Sequence, residues 1–304
     1  MHMRRIYVGI ALILFPTLLV PQALIAEPNI ANGWRGSHRT GANSQFETPE
    51  PWPQALQKKW ELEVGLGHSS PIVVGERIYQ FSRQEENEVL RCIGTDGKEV
   101  WRQHYEAPYE MNNAARGHGK GPKSTPWVDG NRIFTLGIDG AFQCLRTIDG
   151  ELLWQAGDQL PKCSPLYGAA TSPIVLDNLA VIHFGKHNAG ALAALDVETG
   201  RTDWTWSEDG PAYTSPVLME FSGQQQLVTQ SQKSCLSFSL DGKLLWKLPF
   251  TTGYDQNSVT PIQFKNSVIY SGYRKGVSAY LPRFVDGKWQ VNELWHNNDV
   301  SMYM

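Results

Sequence analysis

The chain has 304 residues, room for one large core or two ordinary ones, and 27 Lys plus Arg against 30 Asp plus Glu leave a net charge of −3. No basic field exists to hold nucleic acid, and no acidic tail marks a disordered arm. Eleven each of Trp, Tyr and Phe, with 28 Gly and 18 Pro, suit many short strands and turns better than long helices.

Residues 1–26 read as an export signal. Arg4 and Arg5 supply a positive start, and Ile6 to Leu19 is largely apolar before a polar break leads to Ala26. That apolar stretch is short for a membrane span and Pro16 interrupts it. Cleavage after Ala26 would put Leu24, rather than a small residue, at the third position before the cut. An uncleaved anchor is the alternative, and no cysteine near the signal could accept a lipid. The expected product is exported, periplasmic or extracellular, with no stable membrane span once the signal is removed. Residues 27–57 follow as an N-terminal extended segment.

From residue 58 onward three marks recur in fixed order. The first is a Ser/Thr-Pro step opening an alternating apolar run: Ser70-Pro71, Thr125-Pro126, Ser172-Pro173, Ser215-Pro216 and Thr260-Pro261, at spacings of 55, 47, 43 and 45 residues. The second is a turn dipeptide: Asp96-Gly97, Asp149-Gly150, Thr199-Gly200, Asp241-Gly242 and Asp286-Gly287. The third is a tryptophan four residues after the turn glycine, at Trp101, Trp154, Trp204 and Trp246; in the fifth unit Trp295 follows Gly287 by eight. A fixed order at this period predicts a repeat architecture.

Each unit holds about four strands. In the second they are expected at Thr125–Val128, Arg132–Leu136, Ala141–Arg146 and Leu152–Gln155, joined by Gly-bearing dipeptides that supply the positive φ of tight hairpins. A four-stranded meander cannot bury both faces alone, so neighbours stack and curl about an axis, with the tryptophans filling the gaps. A parallel β-helix would need a shorter period. The expected fold is an all-β propeller of five complete blades. One strand, Trp60 to Val64, looks like an outermost strand with no blade of its own, and His296 to Met304 look like the stub of another inner strand. Residues 58–304 therefore read as a propeller domain truncated at the C-terminus, its ring incomplete.

The segments Leu195-Asp196-Val197-Glu198-Thr199-Gly200-Arg201-Thr202-Asp203-Trp204 and Phe238-Ser239-Leu240-Asp241-Gly242-Lys243-Leu244-Leu245-Trp246 resemble the repeat of the pyrroloquinoline-quinone-type propeller family. That family includes BamB-like periplasmic proteins and quinoprotein alcohol dehydrogenases, and the resemblance covers roughly residues 58–304. It implies structural docking by Trp60, Trp101, Trp154, Trp204, Trp246 and Trp295, blade against blade. It also implies envelope or extracellular protein partners, held by edge or loop contacts with extended peptides. The dehydrogenases of the family use an eight-bladed ring, calcium and a pair of adjacent cysteines over the quinone. This sequence has no Cys-Cys, so no cofactor is expected, and pyrroloquinoline quinone with calcium belongs to an alternative reading as an oxidoreductase.

The residues just before each Ser/Thr-Pro step should gather at one mouth of the central channel. They are His68 and Ser69, Lys123 and Ser124, Tyr167, Ala170 and Thr171, Tyr213 and Thr214, and Asp255, Gln256, Asn257 and Ser258, with Tyr303 next in order. They either bind a ligand, small molecule or carbohydrate, or simply satisfy strand ends and hold waters. The longest connection, Glu106 to Lys123, brings Arg116, His118, Lys120 and Lys123 among three glycines that could cradle an anion; it lacks the ending of a nucleotide-binding P-loop.

No nucleophile elbow, His-Glu-x-x-His or zinc spacing occurs, so neither catalytic nor metal residues are expected. His183 and His187 lie on a strand and turn and read as satisfied structural histidines. Cys92, Cys144 and Cys235 precede their turn glycines by five to seven residues and read as buried, unpaired thiols; Cys163 falls in a loop.

Overall fold

The computed structural model describes residues 32–42, 46–156 and 166–303; the export-signal reading and Cys163 lie outside the described residues. Five four-stranded antiparallel sheets follow one another along the chain. Blade I comprises β1 (Ile72–Val74), β2 (Arg77–Gln84), β3 (Asn87–Gly94) and β4 (Glu99–Glu106). Blade II has β5 (Trp127–Asp129), β6 (Arg132–Leu136), β7 (Phe142–Arg146) and β8 (Leu152–Gln155), close to the strands expected from its turn dipeptides. Blade III has β9 (Ile174–Leu176), β10 (Leu179–Lys186), β11 (Ala189–Asp196) and β12 (Thr202–Trp206). Blade IV has β13 (Val217–Phe221), β14 (Gln224–Gln230), β15 (Ser234–Phe238) and β16 (Leu244–Pro249), and blade V has β17 (Ile262–Phe264), β18 (Ser267–Ser271), β19 (Val277–Val285) and β20 (Lys288–Asn297).

The core lies between blades rather than within one. One cluster joins Ile72, Phe81 and Cys92 of blade I to Val128, Ile133 and Leu145 of blade II. The largest runs from Phe134 and Phe142 through Ile182 and Leu192 to Leu227 and Phe238, spanning blades II to IV. A third joins Val217, Cys235 and Trp246 of blade IV to Val268 and Tyr270 of blade V. Stacking the sheets is what removes these side chains from water, at roughly 1.5–3 kcal/mol for each large one.

Two junction devices repeat. In the first, an indole N–H crosses to the turn of the next blade: Trp60 to the Thr95 carbonyl (2.8 Å), Trp101 to Thr147 (3.0 Å), Trp154 to Val197 (2.9 Å) and Trp204 to Leu240 (3.1 Å). The ring then covers the turn glycine. A Cβ on Gly97, Gly150, Gly200 or Gly242 would fall 2.5–2.7 Å from it, and all four hold positive φ. Glycine is required twice over, by conformation and by contact. A β-bulge lies one step beyond each tryptophan's partner on the third strand, at 92/93, 144/145, 194/195, 237/238 and 279/280.

The second device explains the Ser/Thr-Pro steps. The Ser70 N–H donates to Thr125 Oγ1 (3.0 Å), Thr125 to Ser172 Oγ (3.0 Å), Ser172 to Ser215 Oγ (2.9 Å) and Ser215 to Thr260 Oγ1 (3.2 Å). Each hydroxyl latches its own blade to the one before it. Among the described residues no hydrogen bond joins blade V to blade I.

Two expectations are corrected. Trp60 to Val64 form no strand: only the Leu66–Arg83 bridge follows, and among the described residues no strand pairs with the segment to complete a ladder. Trp60 still docks on Gly97. The N-terminal segment is not extended over 32–42 but winds through tight turns, with Gly36 N–H bonded to Gly33 O and Arg39 N–H to Gly36 O, both at 3.0 Å. It enters the channel: the Val128 N–H of β5 donates to Asn32 O (2.6 Å), and Gly33 lies flat on the Trp127 ring.

Candidate functional site

The channel mouth is walled by what precedes each inner strand. Six of the ten residues expected there, His68, His118, Lys123, Tyr167, Tyr213 and Gln256, line one cavity of about 290 Å3. Tyr167 is the hub: its ring meets His118 edge-on at 4.9 Å and Tyr213 at 5.3 Å, and its hydroxyl accepts from Gln256 Nε2 (3.3 Å). His68 Nε2 stands 3.0 Å from the His118 carbonyl. Lys123 Nζ donates to the carbonyls of Gly119 (3.0 Å) and His118 (3.5 Å), and burial lowers its pKa while the Glu88 charge opposes that shift. Burial also raises the Tyr213 hydroxyl well above the ordinary tyrosine range, so it stays a neutral donor.

The other four point elsewhere. Arg116 folds back onto Asn113 Oδ1 (2.7 Å), and Lys120 pairs with Glu86 (3.4 Å). Arg116 and Lys120 are thus spent on pairing outside the cavity, while His118 and Lys123 of the same loop line it. Residues Asn113–His118 form a 3-10 turn pinned by buried Met111 and Ala115 against Ile138, and this turn scatters the cations. Gly121 packs on Leu66 O and Gly67, so it serves close chain approach. Asn257 is fully buried and donates to the carbonyls of Ser231 and Phe250, both at 2.8 Å. Asp255 faces His187 (3.5 Å) in a neighbouring groove.

That groove, of about 800 Å3, shares a wall with the cavity: Leu166 lines one and Tyr167 the other. Tyr109, Met111, Glu110, Asp255 and Tyr254 complete it. Tyr254 is 84 % exposed and held at φ 63°, and Asp255 follows at φ 54°. Two consecutive non-glycine residues thus hold the left-handed region, at some cost in backbone strain, and present an aromatic ring to solvent at the groove.

The sequence reading missed Trp34, which lines the cavity from the N-terminal segment; no repeat mark points to it. It also missed Glu88 on β3. This carboxylate is buried, accepts from Ile138 N–H (2.9 Å) and the Tyr105 hydroxyl, and burial raises its pKa to about 7. His183 is buried with neither ring nitrogen bonded, contrary to its expected satisfaction; burial lowers it to about 4 and keeps it neutral. His187 meets Gln232 Nε2 at 2.7 Å. Cys92, Cys144 and Cys235 are buried free thiols.

A family model described as "Outer membrane protein assembly factor BamB" matches residues 49–204 and 85–304. The chain belongs to that family. No curated protein matches it. Among solved structures it is similar to BamB from Moraxella catarrhalis, with a TM-score of 0.52 and 16% identity over 78% of this chain and 65% of that one. It thus spans just under two thirds of that relative's length. A europium-containing methanol dehydrogenase matches at TM-score 0.49 and 13% identity, over 75% of this chain and 51% of that one. The quinohemoprotein alcohol dehydrogenase of Comamonas testosteroni matches at 0.45 and 15%, over 74% and 42%. The likeness to that BamB shows the propeller fold. The quinone's calcium needs several converging oxygen ligands, and among the described residues no three His, Cys, Asp or Glu gather. No carboxylate lines the mouth cavity: Glu110 and Asp255 lie in the groove, and Glu88 is engaged by Ile138 N–H and the Tyr105 hydroxyl. The mouth residues do not fit that group. No described helix is long and apolar enough to cross a membrane.

Proposed function

We propose that this chain is an envelope-associated, non-catalytic propeller that holds an extended segment of a protein partner across the channel mouth. The observation that carries this reading is an aromatic-walled cavity sharing one wall with a wider groove. The cavity accommodates a single side chain among Tyr167, Tyr213 and Trp34, with Lys123 beside it for an acidic group or carbonyl. The groove offers Tyr109 and Tyr254 to apolar side chains, and Glu110 and Asp255 to a basic one. An elongated ligand with mixed chemistry fits both at once. The family's name and the export signal read from residues 1–26 support the envelope as the place.

Peptides selected from a random display library on the purified chain, then titrated calorimetrically, test this. Tyr213→Ala should weaken binding by about tenfold or more and Lys123→Ala by less, while Ile148→Ala, on an exposed turn of blade II, should leave it unchanged. Failure to select any peptide, together with saturable calcium-dependent binding of pyrroloquinoline quinone, would overturn the reading in favour of an oxidoreductase. Selective binding of oligosaccharides instead would make the aromatic walls a sugar platform.

A further inference from the structure

Among the described residues lining the mouth cavity there is one lysine or arginine, Lys123, and no aspartate or glutamate. Both acceptors of its Nζ are neutral carbonyls, Gly119 at 3.0 Å and His118 at 3.5 Å, and no ion pair in the described residues includes it. An ammonium has three N–H donors, so one is left over. A ligand can reach it: Lys123 is half-buried rather than sealed, and His118, whose carbonyl it meets, is exposed. His118 also links the polar end of the cavity to the aromatic one. Its carbonyl takes Lys123, and its ring meets Tyr167 edge-on at 4.9 Å, with Tyr213 next at 5.3 Å from Tyr167. An unpaired cation and aromatic walls therefore face one space of about 290 Å3, separated by a single histidine.

We infer that the mouth cavity receives the C-terminal residue of a protein partner, an apolar residue whose free carboxylate meets Lys123 and whose side chain meets Tyr167 and Tyr213. The inference rests on the extended-segment reading above and gives that segment an end and a direction. An aspartate or glutamate side chain would answer the ammonium with a charge-assisted bond but leave the aromatic walls to water. An internal apolar residue would cover the walls but leave Lys123 with carbonyls alone. A chain end carries both groups on one Cα, which is what this pairing of cation and rings requires. The groove favours a chain end over a free small acid: it adjoins the cavity through Leu166 and Tyr167 and continues the path for the residues before the last. Glu110 and Asp255 there favour a basic residue upstream.

Three blocked peptides are titrated into the full chain calorimetrically: acetyl-Lys-Gly-Gly-Leu with a free C-terminus, its C-terminal amide, and the same acid extended by two glycines beyond the leucine. The free acid should bind about tenfold or more tighter than either of the others. Lys123→Met should bind acid and amide alike; if that variant does not fold, the ratio of acid to amide on the native chain decides. Equal affinity for all three would overturn the chain-end site and leave the extended-segment reading in place. Acetyl-leucine binding as tightly as the free-acid peptide would assign the cavity to small free acids and overturn the chain end. Binding of none would also overturn it, while the extended-segment reading would stand or fall on the peptides selected from the library.

Discussion

Blades I to IV and blade V carry the same turn glycine and tryptophan, yet they use them differently. In the first four, the tryptophan of the preceding unit lies on the glycine and bonds the turn carbonyl. In blade V the β19–β20 hairpin runs nine and ten residues, which carries Gly287 away from the junction, and nothing lies within 4 Å of a Cβ placed there. Trp246 is buried nonetheless, but its N–H turns to Gln226 Oε1 of its own blade (2.9 Å). Trp295, at the equivalent place in blade V, is 46 % exposed. Docking is thus a property of two blades meeting: the tryptophan supplies a ring, and hairpin length decides whether a glycine turn is there to receive it.

The sharpest way to break the comparison is at the glycines. Gly200→Ala puts a Cβ 2.6 Å from the Trp154 ring at a residue with φ 68°, and should cost about 2–4 kcal/mol in urea unfolding. Gly287→Ala, at φ 75° but in open space, should cost only the backbone term, about 1–2 kcal/mol. Equal losses would show that docking contributes nothing.

Next in size is a pH effect confined to the junction of blades I and II. Burial raises Glu88 to about 7, above the usual carboxylate range, so the native state prefers its protonated form. Its contribution is full below about pH 4.5 and is lost as pH rises through about 7, by up to about 3 kcal/mol. Glu88→Gln, which still accepts from Ile138 and can pair with Tyr105, should abolish the fall in stability between about pH 6.5 and 8, a range in which buried, neutral His183 adds no slope, measured by unfolding midpoints across that range. An unchanged slope in the variant would assign the effect to another group.

Smaller still is the latch. Ser172→Ala leaves the buried Thr125 N–H without its acceptor and should cost about 1–3 kcal/mol, whereas Ser70→Ala, at an exposed hydroxyl, should change stability by less than about 0.5 kcal/mol. The smallest contrast removes one indole N–H. Trp154→Phe loses the bond to Val197 and should cost about 1 kcal/mol more than Trp295→Phe in the same urea series.

Most of the fold was legible because its signals are local. A turn glycine, a Ser/Thr-Pro step and a tryptophan at fixed offsets each constrain a few consecutive residues, so their recurrence predicted five sheets and, in blade II, strand positions within two residues at either end. The mouth was legible for the same reason: His68, Lys123, Tyr167, Tyr213 and Gln256 immediately or closely precede inner strands, so converging strands bring them together. That Arg116 and Lys120 lie outside the cavity was not legible, because charge patterning in a loop does not reveal which way a 3-10 turn sends each side chain. Nor was the burial of Asn257, because position near the mouth does not distinguish a cavity wall from a buried cap.

The amino-acid sequence by itself determined the repeat, its strand order, the turn glycines and the group of side chains nearest the axis, since these follow from backbone preference and period. Tertiary structure alone decided which tryptophans find a glycine, that the Ser/Thr hydroxyls latch neighbouring blades, and that Glu88 is buried beneath the mouth loop. It also decided that segment 32–42 turns into the channel with Trp34 and Arg39. The physical reason is common to all four: each depends on a contact between residues far apart in the chain, whose worth is set by burial and by a partner that no local pattern names.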